Sequence, residues 1–160
     1  MQNFNDIEAL KIAREIELRG VDIYERALKI ARNDRVKELL EQLHRDEIQH
    51  ASLFGRLCDE ALEDEEAAEY YTPEASMFLA AFAAEIAFPG GLMKLVGQNG
   101  LDDPRAVLEQ AVDAEKNSIL FYQEIIEASA NERLKKYLGE IVREERGHLR
   151  GLLMQLRELG

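Results

Sequence analysis

The sequence predicts an all-α protein: a four-helix bundle made of two similar helical hairpins that a long crossover joins. Three observations support this prediction. The 160 residues include only 3 Pro and 10 Gly, the residues that break helices, and 46% are apolar, enough for one core. Along four long segments, apolar residues recur every three or four positions, as on a helix face that packs inward. Residues 7–54 also align without a gap onto residues 105–152. We therefore expect a single domain over residues 1–160.

Polar residues mark where the helices of the first hairpin begin. Asn5 and Glu8 fit a capping box at the start of the first helix. Asn33 marks the turn, and the second helix is expected from about Arg35 to near Ala67. The inward stripe of that helix carries two polar residues among its apolar ones: Val36, Leu40, Leu43, Glu47, His50 and Phe54.

The crossover, residues 68–103, is predicted to contain one short helix from Pro73 to Phe88, which ends before a Pro-Gly-Gly sequence at 89–91. Its apolar residues have helical spacing: Phe78, Leu79, Phe82 and Ile86. Asp103 as the cap and Pro104 in the first turn begin the second hairpin. Asn131 corresponds to Asn33 and precedes a last helix that continues to the C-terminus.

Four chemically distinctive residues recur in both hairpins at offsets of 0, +7, +30 and +33. They are Glu17, Tyr24, Glu47 and His50 in the first hairpin, and Glu115, Tyr122, Glu145 and His148 in the second. The last two residues of each set form a Glu-x-x-His sequence, and their side chains lie one turn apart on one helix face. Glu17 precedes Asn33 by 16 residues and Glu47 follows it by 14, so an antiparallel hairpin brings both glutamates to nearly the same height.

These repeated residues predict a dinuclear metal site. Four carboxylates buried without compensation would cost many kcal/mol, whereas two divalent cations would offset their charge. Oxygen-rich ligation with one imidazole per metal favours two iron ions or two manganese ions, although zinc could also bind. The predicted ligands are Glu17, Glu47, His50, Glu115, Glu145 and His148. A single Glu-x-x-His would be weak evidence in a chain with 32% charged residues, but two copies at equal offsets are harder to explain as solvated helix faces.

Tyr24 and Tyr122 lie two turns after their glutamates, on the same face. They could be core aromatic residues whose hydroxyls need a partner, or their hydroxyls could hold ligand carboxylates in place. We favour the second interpretation.

Composition excludes several classes of function. The net charge of -12 argues against nucleic acid as a partner, since a phosphate backbone requires a basic surface. Cys58 is the single cysteine, which rules out an intrachain disulfide and a cysteine-ligated metal module in this chain. The most apolar window, residues 75–88, is too short to span a membrane and carries Glu85. With no signal peptide visible at the N-terminus, we expect a cytoplasmic protein that has no membrane partner.

The six-ligand pattern resembles that of ferritin-like di-iron carboxylate proteins. The segments REIELRGVDIYERA, DAEKNSILFYQEI and REERGHLRGLL are most similar to rubrerythrins. This resemblance implies a ferritin-like bundle, a homodimer, and an oxidoreductase that reacts with hydrogen peroxide or dioxygen. In such an enzyme Glu47 and Glu145 would be terminal or chelating ligands, and at least one of Glu17 and Glu115 would bridge the metals.

The sequence departs from rubrerythrins in two ways. The longer rubrerythrins carry a rubredoxin-like domain with a four-cysteine iron site, which this chain cannot form, so electrons would come from an external donor protein. They also place an extra carboxylate one turn after a bridging glutamate. Here those positions are Gly20 and Ser118, which puts an efficient peroxidase role in doubt. Two alternatives therefore stay open: iron storage or metal buffering without turnover, and hydroxylation of an organic, quinone-type substrate.

Overall fold

A computed structural model describes residues 4–63, 69–87 and 104–160, and within these ranges the chain forms five helices. They are α1 (Asp6–Ile30), α2 (Asp34–Leu62), α3 (Pro73–Ala87), α4 (Pro104–Ala128) and α5 (Glu132–Glu158). The first two form one antiparallel hairpin and the last two form another. α1 packs on α4, and α2 packs on α5, so the two hairpins build a four-helix bundle. The predicted all-α architecture is confirmed.

Asparagine side chains begin three of the four long helices, as the sequence predicted. Asn5 accepts hydrogen bonds from the backbone N–H groups of residues 7 and 8 at 3.0 and 3.1 Å. Asn33 accepts from the N–H groups of residues 35 and 36, and Asn131 from those of residues 133 and 134. Each side chain satisfies donors that the first helical turn leaves without a partner. The two hairpins therefore share the same turn chemistry.

The crossover helix α3 packs against α4 and α1. Phe4 connects to this part of the chain through its backbone. Its carbonyl accepts from Tyr71 N–H, just before α3, at 2.8 Å, and its N–H donates to Ser76 Oγ, in the first turn of α3, at 3.1 Å. Leu79 is buried, whereas Phe78 is 44% exposed. α3 carries apolar residues on more than one face, so their helical spacing alone does not identify the buried face.

Some predicted boundaries differ from the structure or lie outside it. α2 ends at Leu62, with Glu63 as its cap, which is earlier than expected. The expected end near Ala67, the Pro-Gly-Gly stop at 89–91 and the Asp103 cap all lie outside the described residues. No helix in the described ranges is long and apolar enough to cross a membrane.

Two apolar clusters fill the bundle, one towards each end. The first includes buried apolar residues between Phe4 and Ile16, Phe54, and buried apolar residues between Ile119 and Val142. The second includes Tyr24, Leu40, Leu108 and Leu152. In each of the four long helices, the predicted metal-ligand residues fall between the stretches that contribute to these two clusters. A polar layer therefore crosses the middle of an otherwise apolar core.

Candidate metal centre

Six polar side chains meet at the middle of the bundle. α1 and α4 each supply one glutamate, while α2 and α5 each supply a glutamate and a histidine one turn apart. All six are buried, with 1% to 6% of each residue exposed: Glu17, Glu47, His50, Glu115, Glu145 and His148. The structure thus brings together every residue of the predicted ligand set, because the amphipathic stripe of each helix carries it inward.

The donor atoms of these side chains form two overlapping groups, each with three carboxylates and one imidazole. The first group is Glu17, Glu47, His50 and Glu145, and the second is Glu47, Glu115, Glu145 and His148. Within each group the donor atoms lie within 4.8 Å of one another, which is close enough for one cation. Glu47 and Glu145 belong to both groups, so two cations bound here would share them.

Each histidine directs its Nδ1 atom towards the carboxylates. His50 Nδ1 lies 2.8 Å from Glu145 Oε1 and 3.3 Å from Glu17 Oε2. His148 Nδ1 lies 3.2 Å from Glu145 Oε2 and 3.6 Å from Glu115 Oε1. The two imidazole rings are stacked, with centroids 6.0 Å apart. The Nδ1 atoms are therefore the nitrogen donors that this site offers to metals.

The opposite ring nitrogen of each histidine contacts a carboxylate on the facing helix. His50 Nε2 lies 2.8 Å from Glu144 Oε2, and His148 Nε2 lies 3.1 Å from Asp46 Oδ2. A carboxylate on the outer nitrogen holds a proton there, so Nδ1 is the nitrogen that would give up its proton to a metal. Sequence reasoning missed both carboxylates. The available signal was an acidic residue directly before the Glu-x-x-His of each hairpin.

Both repeated tyrosines contact glutamates of the site. The Tyr24 hydroxyl donates to Glu115, and the Tyr122 hydroxyl donates to Glu17. Each tyrosine thus binds a glutamate of the other hairpin, although in the sequence it follows a glutamate of its own hairpin by two turns. Tyr122 also packs against Phe54, with ring centroids 5.2 Å apart.

Without a metal, protons on the histidines offset part of the negative charge of the site. Burial lowers the pKa of His50, but hydrogen bonds and charges from Glu145 and Glu17 outweigh burial and raise it to about 11. Burial likewise lowers the pKa of His148, and Glu115 with Glu145 raises it to about 10. The metal-free site therefore retains protons that cations could replace.

The pKa values of the glutamates shift in different directions because the glutamates differ in their distance from the imidazoles. Burial and then the carboxylate of Glu17 raise the pKa of Glu47, and burial and then Glu145 raise that of Glu115. Burial also opposes ionisation of Glu145, yet hydrogen bonds to Glu115 and to both histidines lower its pKa overall. Among the four glutamates of the site, Glu145 lies closest to the Nδ1 atoms of both histidines.

Two carboxylate oxygens of the site have no hydrogen-bond donor among the described residues. They are Glu115 Oε2 and Glu145 Oε1, both buried. Glu145 Oε1 lies 2.8 Å from His50 Nδ1 and forms an ion pair with the protonated ring, so Glu115 Oε2 is the less compensated of the two oxygens. A buried oxygen without a partner costs free energy, and a bound cation would satisfy it. The residues present thus fit a pair of divalent metal ions.

The positions one turn after Glu17 and Glu115 hold small side chains. A Cβ atom at Gly20 would lie 2.8 Å from Glu47 Oε2, so only glycine leaves Glu47 where it is. The Ser118 hydroxyl donates to the Ala114 carbonyl of its own helix at 3.1 Å. Neither position supplies an additional carboxylate.

Two neighbouring acidic residues, Glu15 and Asp113, do not supply the carboxylate that positions 20 and 118 lack. Glu15 is exposed and pairs with Arg19 at 3.3 Å, and Asp113 is exposed and lies 3.7 Å from Lys116. The side chain of Glu85, a third candidate, lies outside the described part of the chain. Among described residues, the site therefore has four carboxylates and two imidazoles within reach of the metals.

Comparison with known proteins places this site in a family. The profile of the rubrerythrin family matches residues 8–156. The chain belongs to the rubrerythrin family. A solved structure from Thermotoga maritima, described as a ferritin-like diiron-carboxylate protein, matches it with a TM-score of 0.71 at 23% identity, over 100% of this chain and 99% of that chain. No curated protein matches the sequence.

These matches confirm the family and the fold expected from the sequence. The rubrerythrin match includes all six residues of the metal centre. The ferritin-like fold is shown by the structural likeness, and the two carboxylate and histidine groups indicate a site for two metals.

Proposed function

We propose that the protein is a di-iron carboxylate oxidoreductase that reduces hydrogen peroxide or dioxygen, with manganese as the alternative metal. The observation that supports this proposal most strongly is the pair of overlapping donor groups, each with three carboxylates and one imidazole. Oxygen-rich donors with a single nitrogen per metal suit iron and manganese, which change oxidation state, better than structural zinc.

We propose Glu47 and Glu145 as the bridging ligands, because they are the residues that both groups share. This differs from the sequence-based expectation that Glu17 or Glu115 bridges the metals. Glu17 and Glu115 each belong to one group, so each suits a terminal position. His50 and His148 would each offer one nitrogen, Nδ1, to a metal.

The protein's own residues fix the geometry of this site. Tyr24 and Tyr122 hold the terminal glutamates, while Asp46 and Glu144 keep the histidine protons on Nε2. Two ferrous ions, when bound, would supply the two electrons that, with two protons, convert hydrogen peroxide into two water molecules. Since the site then needs electrons again, we propose that a separate donor protein returns them.

We further propose a cytoplasmic homodimer. A molecular mass near twice that of the chain in size-exclusion chromatography with light scattering would support the dimer. A very large particle would instead favour iron storage.

Metal content and redox spectroscopy test the proposed function directly. Protein purified without added metal should contain two irons per chain, with an absorption band that bleaches on reduction and returns with peroxide. Mixing the diferrous protein with peroxide should oxidise it faster than free ferrous iron. Oxidation no faster than that of free iron would contradict the proposal.

A matched pair of variants connects this reaction to the site. Glu17→Gln removes a carboxylate from the first donor group, whereas Glu15→Gln alters an exposed glutamate two residues away. We expect Glu17→Gln to lower iron content and the oxidation rate, and Glu15→Gln to change neither. Equal iron content and equal oxidation rates in the two variants would show that Glu17 is not a ligand.

A further inference from the structure

A small cavity lies beside the metal centre, between α1 and α4. Its volume is about 30 Å³, which is room for about two water-sized molecules. Glu47 and Glu115 line its inner side, and Ile16, Ile23 and Ala114 make most of its wall apolar. Arg19 and Asn117 also line it and are partly exposed, so the cavity extends towards the protein surface.

The cavity exists because Gly20 and Ser118 are small. The two residues occupy equivalent positions of the repeat, one turn after Glu17 and Glu115, and both line the cavity. With a glycine and a serine there, space is left beside the carboxylates that face the metals.

A buried polar atom lies at the inner end of this space. Glu115 is 2% exposed and lines the cavity, and its Oε2 atom has no hydrogen-bond donor among the described residues. The opposite side of the centre, between α2 and α5, is instead occupied by the stacked rings of His50 and His148 and by the carboxylates on their Nε2 atoms. The site is therefore open towards α1 and α4 and covered towards α2 and α5.

We propose that the gap at Gly20 and Ser118 is the entrance to the metal centre, and that its size restricts the oxidant to a molecule with two heavy atoms. This inference rests on the proposed oxidoreductase function, which it deepens by naming the substrate class. Hydrogen peroxide and dioxygen match a cavity with room for about two water-sized molecules, and we expect an alkyl hydroperoxide or a quinone to be excluded. The apolar walls favour a neutral molecule over an ion.

Filling the gap tests the entrance. Ser118→Leu adds a side chain into the cavity without altering a proposed ligand, and Ser118→Val is a smaller version in case the leucine variant fails to fold or to bind metal. Gly139→Ala is the control, since a Cβ atom there would meet nothing within 4 Å. Each variant is first checked for two irons per chain and for unchanged helix content.

Two measurements are then made on the diferrous proteins. The first is the rate of nitric oxide binding, a two-atom probe that reports access independently of turnover. The second is the oxidation rate with hydrogen peroxide, with dioxygen and with tert-butyl hydroperoxide, each measured separately. In the filled variants we expect nitric oxide binding to be about tenfold or more slower than in the parent. We expect the same reduction in the rate of oxidation by the preferred small oxidant. Gly139→Ala should match the parent, which should react with tert-butyl hydroperoxide far more slowly than with the small oxidants.

The outcomes separate this inference from the proposed function. If the filled variants keep two irons and bind nitric oxide as fast as the parent, the entrance lies elsewhere and the inference fails, whatever the oxidants do. If tert-butyl hydroperoxide reacts as fast as hydrogen peroxide, the size restriction fails. If the parent binds nitric oxide but no oxidant reacts, the proposed function fails, while the nitric oxide comparison still decides the entrance.

Discussion

The Tyr24 hydroxyl in α1 donates a hydrogen bond to Glu115 in α4, so a residue of one hairpin holds a carboxylate of the other. Tyr122 in α4 does the same for Glu17 in α1. Burial and then the neighbouring carboxylates raise the pKa of both tyrosines well above its usual value, which keeps both hydroxyls protonated as donors. The pair of contacts joins the hairpins at the height of the metal centre.

Replacing either tyrosine by phenylalanine is predicted to weaken both folding and metal binding. Tyr24→Phe and Tyr122→Phe keep the ring but leave a buried glutamate oxygen without its donor, at a cost of about 1–3 kcal/mol. Urea unfolding of the metal-free protein and metal titration would measure the two effects. Tyr70→Phe is the control, because Tyr70 is 66% exposed and its loss should change stability by less than about 0.5 kcal/mol. An unchanged free energy of unfolding in both buried variants would contradict the prediction.

The carboxylates behind the histidines are predicted to tune metal affinity. Asp46→Asn and Glu144→Gln remove the negative charge beside Nε2, so the proton is held there less firmly, and we expect affinity to fall about 10- to 100-fold. The Asp46 variant should be affected more, since its side chain is 26% exposed against 59% for Glu144. Competition with a chelator of known affinity measures this. Glu41→Gln, an exposed change in α2, should have no effect, and a larger loss in Glu144→Gln than in Asp46→Asn would reverse the expected order.

A methyl group at Gly20 is predicted to disturb a ligand. In Gly20→Ala the new Cβ would lie 2.8 Å from Glu47 Oε2 and 3.1 Å from Glu47 Cδ, so the carboxylate must move. We expect metal affinity to fall by on the order of tenfold or more, as for other changes that misplace a ligand. In Gly139→Ala nothing opposes the methyl group, and the helix should gain about 0.5–1 kcal/mol. Equal metal affinity in the two variants would mean that Glu47 can adjust without cost.

The stability of the metal-free protein is predicted to fall as the pH rises above about 6.5, the usual pKa of histidine in an unfolded chain. The folded protein keeps its histidine protons up to pH values near the raised pKa of His148, about 10, and of His50, about 11. Between those limits the folded state binds more protons than the unfolded state, so each histidine removes up to about 1.4 kcal/mol per pH unit. The raised pKa values of Glu47 and Glu115 act in the same direction.

Metal loading should reverse this trend, because metals replace the protons and bind more tightly as the pH rises. Urea unfolding at several pH values between about 6 and 9, with and without metal, tests both statements. A metal-free protein that becomes more stable towards pH 9 would contradict them.

Local signals in the sequence were sufficient for the fold and for the six residues of the centre. Asn33 and Asn131 mark helix starts through contacts within four residues, so their role does not depend on the rest of the fold. Glu17 and Glu115 could be recognised because a polar residue on an apolar stripe is costly, and both repeats retain one there.

Features that depend on how helices rotate against one another could not be predicted in this way. Asp46 and Glu144 are two of 32 acidic residues, and only the packing of α2 on α5 turns them towards a histidine. The sharing of Glu47 and Glu145 between the donor groups likewise follows from which carboxylates lie between the histidines. Phe78 shows the same limit, since helical apolar spacing does not identify which face of α3 is buried.

The division of ligands between the hairpins bears on how such a protein could arise. Each donor group takes three residues from one hairpin and a single glutamate from the other, Glu145 in one case and Glu47 in the other. A lone ancestral hairpin would therefore lack one ligand for its own metal and would carry the very residue that a second copy needs. Two identical hairpins related by a twofold axis would complete both sites at once. Fusion of the two genes would then preserve this exchange within one chain.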